Sequence, residues 1–424
     1  MTNMADLTIT GVTLPDGTRT DLHVARGILV DEAPSGAERI DADGLIAMPG
    51  LVDLHTHLRE PGREDAETVA SGSLAAARGG FTCVHAMANT QPVTDTAEKA
   101  EHILDLGLAA DLVQVVPAGA ITKDLAGREL AELGLMHASR AHVTLFSDDG
   151  ACVQDAGIMR RAFEWASRFD GVLAQHSQDS SLAGPTASCH EGVLSGRLGL
   201  PGWPPVAESV IIARDAMLAE ATGGRLHVLH ITSAEGVEVV RWAKRRGINI
   251  TAEATPHHLY LTVDEVAGYD TTFKVNPPLR TNEHIEALRE ALADGTIDTV
   301  GTDHAPHAAH DKDHAFVDAK PGMIGLEQAL GVIMETMLDR IGWAGIAERM
   351  SHAPARIGRV AGQGRPLAVG EPANLVLVDP TRRSTVDRTA SASRSRNNPY
   401  HGRDLPDPVE LTMWRGRITH RRIG

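Results

Sequence analysis

From about Gly50 onward, short runs rich in Val, Ile and Leu alternate with longer stretches whose apolar residues recur at helical spacing. This is the pattern of repeated βα units on a parallel sheet. Eight runs read as strands: Leu51–His57, Phe81–Met87, Leu112–Ala118, His142–Ser147, Gly171–His176, Leu226–Ile231, Ile248–Glu253 and Ile297–Thr302. Helices are predicted over Ala156–Arg168, Ala207–Glu220, Ala234–Arg246, Glu283–Ala293 and Leu326–Asp339. Eight units predict an α/β fold, a (β/α)8 TIM-like barrel, in preference to an open doubly wound sheet. The two ends read differently. Leu7–Thr13 and Asp21–Val30 alternate around the turn signal Pro15-Asp16-Gly17, and Asn374–Val378 and Glu410–Ile418 offer further strands, with Arg415-Gly416 as a turn. Neither end can bury a sheet face alone, so both are expected in one small composite β-sandwich, residues 1–49 plus 361–424, beside a barrel of residues 50–360. Thr381–Asn398, rich in Ser, Thr and Arg, reads as a solvated loop.

Composition narrows the chemistry. Lys and Arg number 40 against 56 Asp and Glu, a net charge of −16. That is a poor match to nucleic-acid phosphates or anionic membranes, so a small-molecule substrate is expected. No basic start precedes an apolar core and no long uncharged stretch occurs, which predicts a soluble, cytoplasmic protein. The three cysteines, Cys83, Cys152 and Cys189, are scattered and lack C-x-x-C spacing, so they read as buried thiols.

Position along each unit then filters the polar residues. In a barrel of this kind the strand bodies are filled by apolar side chains, and reactive groups collect where the C-terminal strand ends open into loops. Five features pass: His55 and His57 after the first strand, Asp148-Asp149-Gly150 after the fourth, His176 after the fifth, His230 in the sixth, and Asp303-His304-Ala-Pro-His307 after the eighth. His55 and His57 alternate on an extended strand, so both imidazoles can face one cation. Jointly the rim offers four imidazoles and two carboxylates, enough for two metal ions with a shared ligand. Spacing alone leaves Asp148 and Asp149 as alternatives, because adjacent residues face opposite ways.

This set, in this order, resembles the amidohydrolase superfamily, and the surrounding words are similar to the class I dihydroorotases. The resemblance covers nearly the whole chain. It rests on Pro49-Gly50-Leu-Val-Asp-Leu-His-Thr-His-Leu-Arg-Glu-Pro-Gly62, Met87-Ala-Asn-Thr-Gln-Pro92, Phe146-Ser-Asp-Asp-Gly150, Thr255-Pro-His-His258, Asn276-Pro-Pro-Leu-Arg280, Thr302-Asp-His-Ala-Pro-His307 and Lys320-Pro-Gly-Met-Ile-Gly325. It implies reversible closure of N-carbamoyl-L-aspartate to (S)-dihydroorotate in pyrimidine biosynthesis, with zinc as cofactor, two ions per chain or, as the alternative, one. His55, His57 and Asp303 would hold one zinc, His176 and His230 the other, and Asp149 would bridge. Many relatives bridge with a carboxylated lysine, but no lysine occurs between Lys123 and Lys244.

The resemblance further makes Asp303 the acid-base catalyst and Arg59 the binder of the substrate carboxylate, with Asn89 and His307 as neighbours. Asn276 and the backbone of Pro321 and Gly322 would contact the pyrimidine ring. Arg59 also has a plain alternative, a rim ion pair with Glu60 or Glu64. Ala308–Lys320 reads as a mobile loop over the pocket. A homodimer is expected, with association with aspartate transcarbamoylase left open. Two rivals compete: a hydantoinase, dihydropyrimidinase or allantoinase, disfavoured by the missing lysine, and a degenerate scaffold, disfavoured because no ligand is lost.

Overall fold

The computed structural model describes residues 6–423; the first five residues of the proposed N-terminal unit lie outside them. Eight parallel strands follow one another: β1 (Leu51–Thr56), β2 (Phe81–Ala86), β3 (Gln114–Pro117), β4 (Leu145–Ser147), β5 (Val172–Gln175), β6 (Arg225–Val228), β7 (Ile250–Ala254) and β8 (Thr299–Val300). β1 to β3 form one parallel sheet and β4 to β8 another. Isolated parallel bridges, Gly119–Phe146 and Thr56–His304, link the two sheets at both seams. All eight predicted runs thus hold a strand. They are shorter than predicted, most of all β8, which pairs only over Thr299–Val300.

Every residue of β1, β2 and β5 is buried, as expected of parallel strands covered on both faces. One face meets helices through an apolar core that includes Val84, Phe146, Leu173, Leu226 and Val300. A smaller cluster of Leu54, Met87, Ala118, Leu145, Ala174, Leu229 and Ile357 fills the other side. The helices start where the sequence offers caps. Thr68 and Ser71 form a capping box on Val69–Arg78, and Ser233 accepts from Gly236 N at the head of Ala234–Arg245. The latter helix buries Val237, Val240 and Ala243, a stripe at helical spacing. The helix predicted over Leu326–Asp339 spans Ala329–Ala347 and breaks at Gly342, whose φ is 63°.

Both chain ends enter one eight-stranded sheet. Ile46–Pro49 lies inside it, antiparallel to Leu375–Val378, so the N-terminal and C-terminal segments are joined by backbone hydrogen bonds. The run predicted over Asp21–Val30 splits into Arg19–Ala25 and Ile28–Val30, and Val409–Trp414 turns at Arg415-Gly416 into Arg417–Arg421. Gly50 then carries the chain into β1, where a Cβ would lie 2.3 Å from Thr82.

One expectation is overturned. Thr381–Asn398 is not a uniformly solvated loop: Arg383–Thr385 pairs with Asp404–Pro406, and Ser393, Ser395, Asn397 and Asn398 are buried. Their polar groups are satisfied within the protein rather than by water. Ser393 Oγ donates to Glu67, and Asn397 Nδ2 donates to the carbonyls of Ala305 and Gly322 at 2.9 and 3.0 Å.

Candidate active site

The strand ends bring His55, His57, Asp149, His176, His230 and Asp303 together, all buried. Asp149 sits at their centre. Its Oδ2 lies 3.4 Å from His55 Nε2 and 3.2 Å from His57 Nε2, and its Oδ1 lies 3.5 Å from His176 Nδ1 and 3.4 Å from His230 Nε2. Each carboxylate oxygen therefore faces one histidine pair. Asp303 Oδ1 approaches His57 Nε2 at 3.1 Å and His55 Nε2 at 3.6 Å. The choice between neighbouring aspartates is resolved by the opposite facing of adjacent residues. Asp148 turns away and accepts from Ile121 N, Thr122 N and the Thr122 hydroxyl.

Proton placement follows from the outer partners. His55 Nδ1–H donates to Glu253 Oε1 at 2.6 Å, His57 Nδ1–H to Asn89 Oδ1 at 2.9 Å, and His176 Nε2–H to Gln178 Oε1 at 2.9 Å. In three of the four imidazoles an outer acceptor thus fixes one proton, so the nitrogen that would give its lone pair to a metal is the inner one, facing Asp149. His176 Nδ1 and His230 Nε2 come within 2.9 Å of each other. His55 Nε2 and Asp149 Oδ1 are buried without a hydrogen-bond partner among the described residues. Orphaned buried polar atoms of this kind are costly unless something else satisfies them. Two triads, His55-His57-Asp149 and Asp149-His176-His230, have the nitrogen and oxygen donors and the proximity to hold metal ions.

Electrostatics agree. Burial works against ionisation of Asp149 and Asp303, yet the neighbouring His55, helped by the other site imidazoles, holds both carboxyls well below the usual range. Beneath them Glu253 is fully buried, and His55 and His227 overcome that burial to bring its carboxyl down to about 2.

A cavity of about 370 Å³ opens over this cluster, lined among others by Arg59, Arg63, Asn89, Asn276, His307 and Gly322. Arg59 pairs with no carboxylate among the described residues. Glu60 instead accepts from Val69 N and Glu64 from Gly62 N, which disposes of the rim ion pair. Burial brings the Arg59 guanidinium down to about 10, so it stays charged near neutrality. His307 Nε2–H donates to Pro321 O at 2.8 Å; burial, then Arg59, push its ring down to about 3, so it is neutral. Asn276 Nδ2 donates to Gln178 Oε1 at 2.9 Å while its Oδ1 is buried and unpartnered. Gly322 has φ 145°, and a Cβ there would lie 2.8 Å from the His307 ring. Its N–H and carbonyl already bond Lys274 O and Asn397 Nδ2, so a ligand would use the remaining carbonyl lone pairs.

The stretch expected to be a mobile loop carries a short helix, Ala309–Lys312, and several anchors. Asp311 accepts from Arg63 at 2.5 Å, and Lys312 Nζ donates to the carbonyls of Thr271, Lys274 and Lys320. Sequence reasoning also passed over Glu253, Gln178 and Asn397. Glu253 alone left a signal: an acidic residue inside an apolar run of a doubly covered strand has no water to face.

Residues 44–236 match a family described as dihydro-orotase-like. The dihydroorotase of Streptomyces coelicolor is 56% identical over 407 residues, covering 96% of this chain and 95% of the relative. That of Leifsonia xyli is 54% identical over 417 residues, covering 97% and 95%. Among solved structures, the L-hydantoinase (dihydropyrimidinase) of Arthrobacter aurescens superposes with TM-score 0.87 at 25% identity, covering 99% of this chain and 97% of that one. A dihydropyrimidinase from Brevibacillus agri gives 0.86 at 20% identity over 98% and 95%, a likeness of fold. Identity above one half across nearly the full length, converging on the dihydroorotases rather than on the hydantoinases that share the fold, means that this chain belongs to the dihydroorotase family.

Proposed function

We propose that the chain is a zinc-dependent dihydroorotase of class I that reversibly closes N-carbamoyl-L-aspartate to (S)-dihydroorotate in pyrimidine biosynthesis. The observation that carries this is Asp149, with one oxygen toward each histidine pair, beneath a cavity containing an unpaired arginine. His55, His57 and Asp303 would hold one ion, His176 and His230 a second, with Asp149 between them. Two bound zinc ions would supply Lewis acidity and a water acidified from 15.7 toward ~7.

The chain's own residues do the rest. Arg59 offers a permanently charged, forked donor to the substrate carboxylate, and no competing carboxylate occupies it. Asn89 keeps an amide proton for the same group, and His307 can turn its Nε2–H from Pro321 O toward it. Asn276 Oδ1 is free to accept a ring N–H, with the Pro321-Gly322 backbone alongside. Asp303 takes the proton of the attacking water and delivers it to the departing ring nitrogen, and the reverse for closure.

The ring of eight parallel strands is read as a (β/α)8 barrel, residues 50–360; the two ends, proposed as a composite β-sandwich over 1–49 plus 361–424, share one eight-stranded sheet among the described residues. Among the described residues no helix is long and apolar enough to cross a membrane. A cytoplasmic homodimer, with docking on aspartate transcarbamoylase as a further option, completes the proposal; light scattering with and without that partner tests it.

The purified protein should cyclise carbamoyl-aspartate, lose activity to a chelator and regain it with zinc. Faster turnover of hydantoin or dihydrouracil than of dihydroorotate would replace this reading with a neutral cyclic amidase.

A further inference from the structure

Directly below the candidate metal cluster lies a carboxylate that the mechanism above does not use. Glu253 is the penultimate residue of β7 and is wholly buried. Its Oε1 accepts from His55 Nδ1–H at 2.6 Å and from the backbone N–H of His230 at 3.3 Å, and its Oε2 accepts from His227 Nε2–H at 3.2 Å. A single oxygen therefore meets one residue from each of the two histidine pairs. His230 adopts φ 31°, a left-handed conformation that a residue with a side chain holds only when its surroundings impose it. The amide that this conformation turns inward is the one Glu253 accepts.

Gly301 gives a second, independent observation. A Cβ at this position would lie 2.4 Å from Glu253 Oε2 and 2.5 Å from its carboxyl carbon. The glycine leaves the room in which the carboxylate sits.

We propose that Glu253 is a positioning residue that ties the two halves of the metal centre together: its acceptor oxygen fixes the His55 ring and tautomer while holding the His230 backbone in its left-handed turn. The inference rests on the zinc reading above. Hydrogen-bond partners behind metal-ligating histidines set ring orientation in this way, and their loss typically costs about ten- to one-hundred-fold in metal affinity.

The test is equilibrium zinc affinity, measured on metal-free protein by competition with a chromophoric chelator, beside the melting temperature of the same metal-free samples. Glu253→Leu should bind zinc about ten- to one-hundred-fold more weakly than the unsubstituted protein. Glu253→Gln should recover most of that loss, since its carbonyl still accepts from His55 and His230. His227 can meet the new amide by moving its proton to Nδ1, where Thr251 Oγ1 lies at 2.8 Å and serves either tautomer. Gly301→Ala replaces no candidate ligand, and its three nearest new neighbours are all atoms of the Glu253 carboxylate; it should weaken zinc as Leu does, which keeps the test open if Glu253→Leu fails to fold. A folded Gly301→Ala or Glu253→Leu protein with unchanged zinc affinity would overturn the proposal. So would a Gln variant as weak as Leu, because charge rather than placement would then be at work. Absence of zinc affinity in the unsubstituted protein would instead remove the metal reading itself, and this inference with it.

Discussion

The Nε–H of Arg59 donates to the carbonyl of Pro306 at 3.0 Å, so the guanidinium is anchored to the chain just after β8 without spending its terminal nitrogens on a carboxylate. A polar side-chain approach to those nitrogens, Nη2 to His307 Nε2 at 3.5 Å, is between two donors, since the His307 proton is directed at Pro321. An arginine tethered at Nε and open at its fork is arranged to take a carboxylate from outside the protein.

Arg59→Met should therefore leave zinc content unchanged and lower kcat/KM for dihydroorotate. Losing a hydrogen bond to a charged group costs about 1.5 to 3 kcal/mol, roughly ten-fold to 160-fold in rate. Dihydrouracil lacks the carboxylate, so residual activity on it should hardly move. Steady-state kinetics on both substrates decide the point; equal losses would assign Arg59 to supporting the site.

The neighbouring aspartates offer a sharper contrast. Asp149→Asn removes the one charge facing both histidine pairs, and metal analysis should find zinc depleted from both sites. Asp148→Asn should keep its zinc, because that carboxylate is engaged by Thr122 and the Ile121 and Thr122 amides. Its effect should be a lower melting temperature. Equal zinc loss in the two variants would reject the assignment of Asp149 as the shared group.

These residues mark how far the chain could be read before folding. His55 and His57 were legible because strand alternation sends i and i+2 one way, and His176, His230 and Asp303 because they lie at or near the C-terminal ends of apolar runs. The choice of Asp149 was not, since facing depends on which neighbour finds Thr122. Glu253 fell inside the strand predicted over Ile248–Glu253, but nothing in one sequence says which carboxylate lies behind a histidine 198 residues away. The segment 393–398 misled because Ser and Asn look alike whether their partners are waters or the buried carbonyls of Ala305 and Gly322. Composition reports that polar groups need partners, not where the partners are.

Lys312 predicts a pH dependence of stability. Burial, then Lys274, push its ammonium down to about 7 against the opposing pull of Asp270 and Asp311. An unfolded lysine keeps its proton to about 10.4, so between roughly pH 7 and 10 the unfolded state binds more protons and stability rises with pH. The maximal slope from one such group is about 1.4 kcal/mol per pH unit. Lys312→Met removes the titration. Denaturant unfolding of both proteins from pH 6.5 to 9.5 should show the extra upward slope only in the unsubstituted one; parallel curves would mean that Lys312 stays charged with its three carbonyls.

Asp303 separates metal holding from proton transfer. Its Oδ1 stands 3.1 Å from His57 Nε2, and His55 and His57 keep the carboxyl ionised against its burial, the state a proton acceptor needs. Asp303→Asn is nearly isosteric, so the fold should survive, but the amide cannot accept a proton and binds metal more weakly. Loss of a principal acid-base group costs about 10²-fold to 10⁴-fold in rate. The two effects part when zinc is added back. If metal analysis shows the Asn variant refilled to the content of the unsubstituted protein, turnover in both directions should still be reduced by that factor. Opening and closure should suffer alike, because the group that takes the water proton in ring opening must return it in closure. A refilled variant with most of its turnover restored would mean that Asp303 serves only as a ligand and that another group moves the proton.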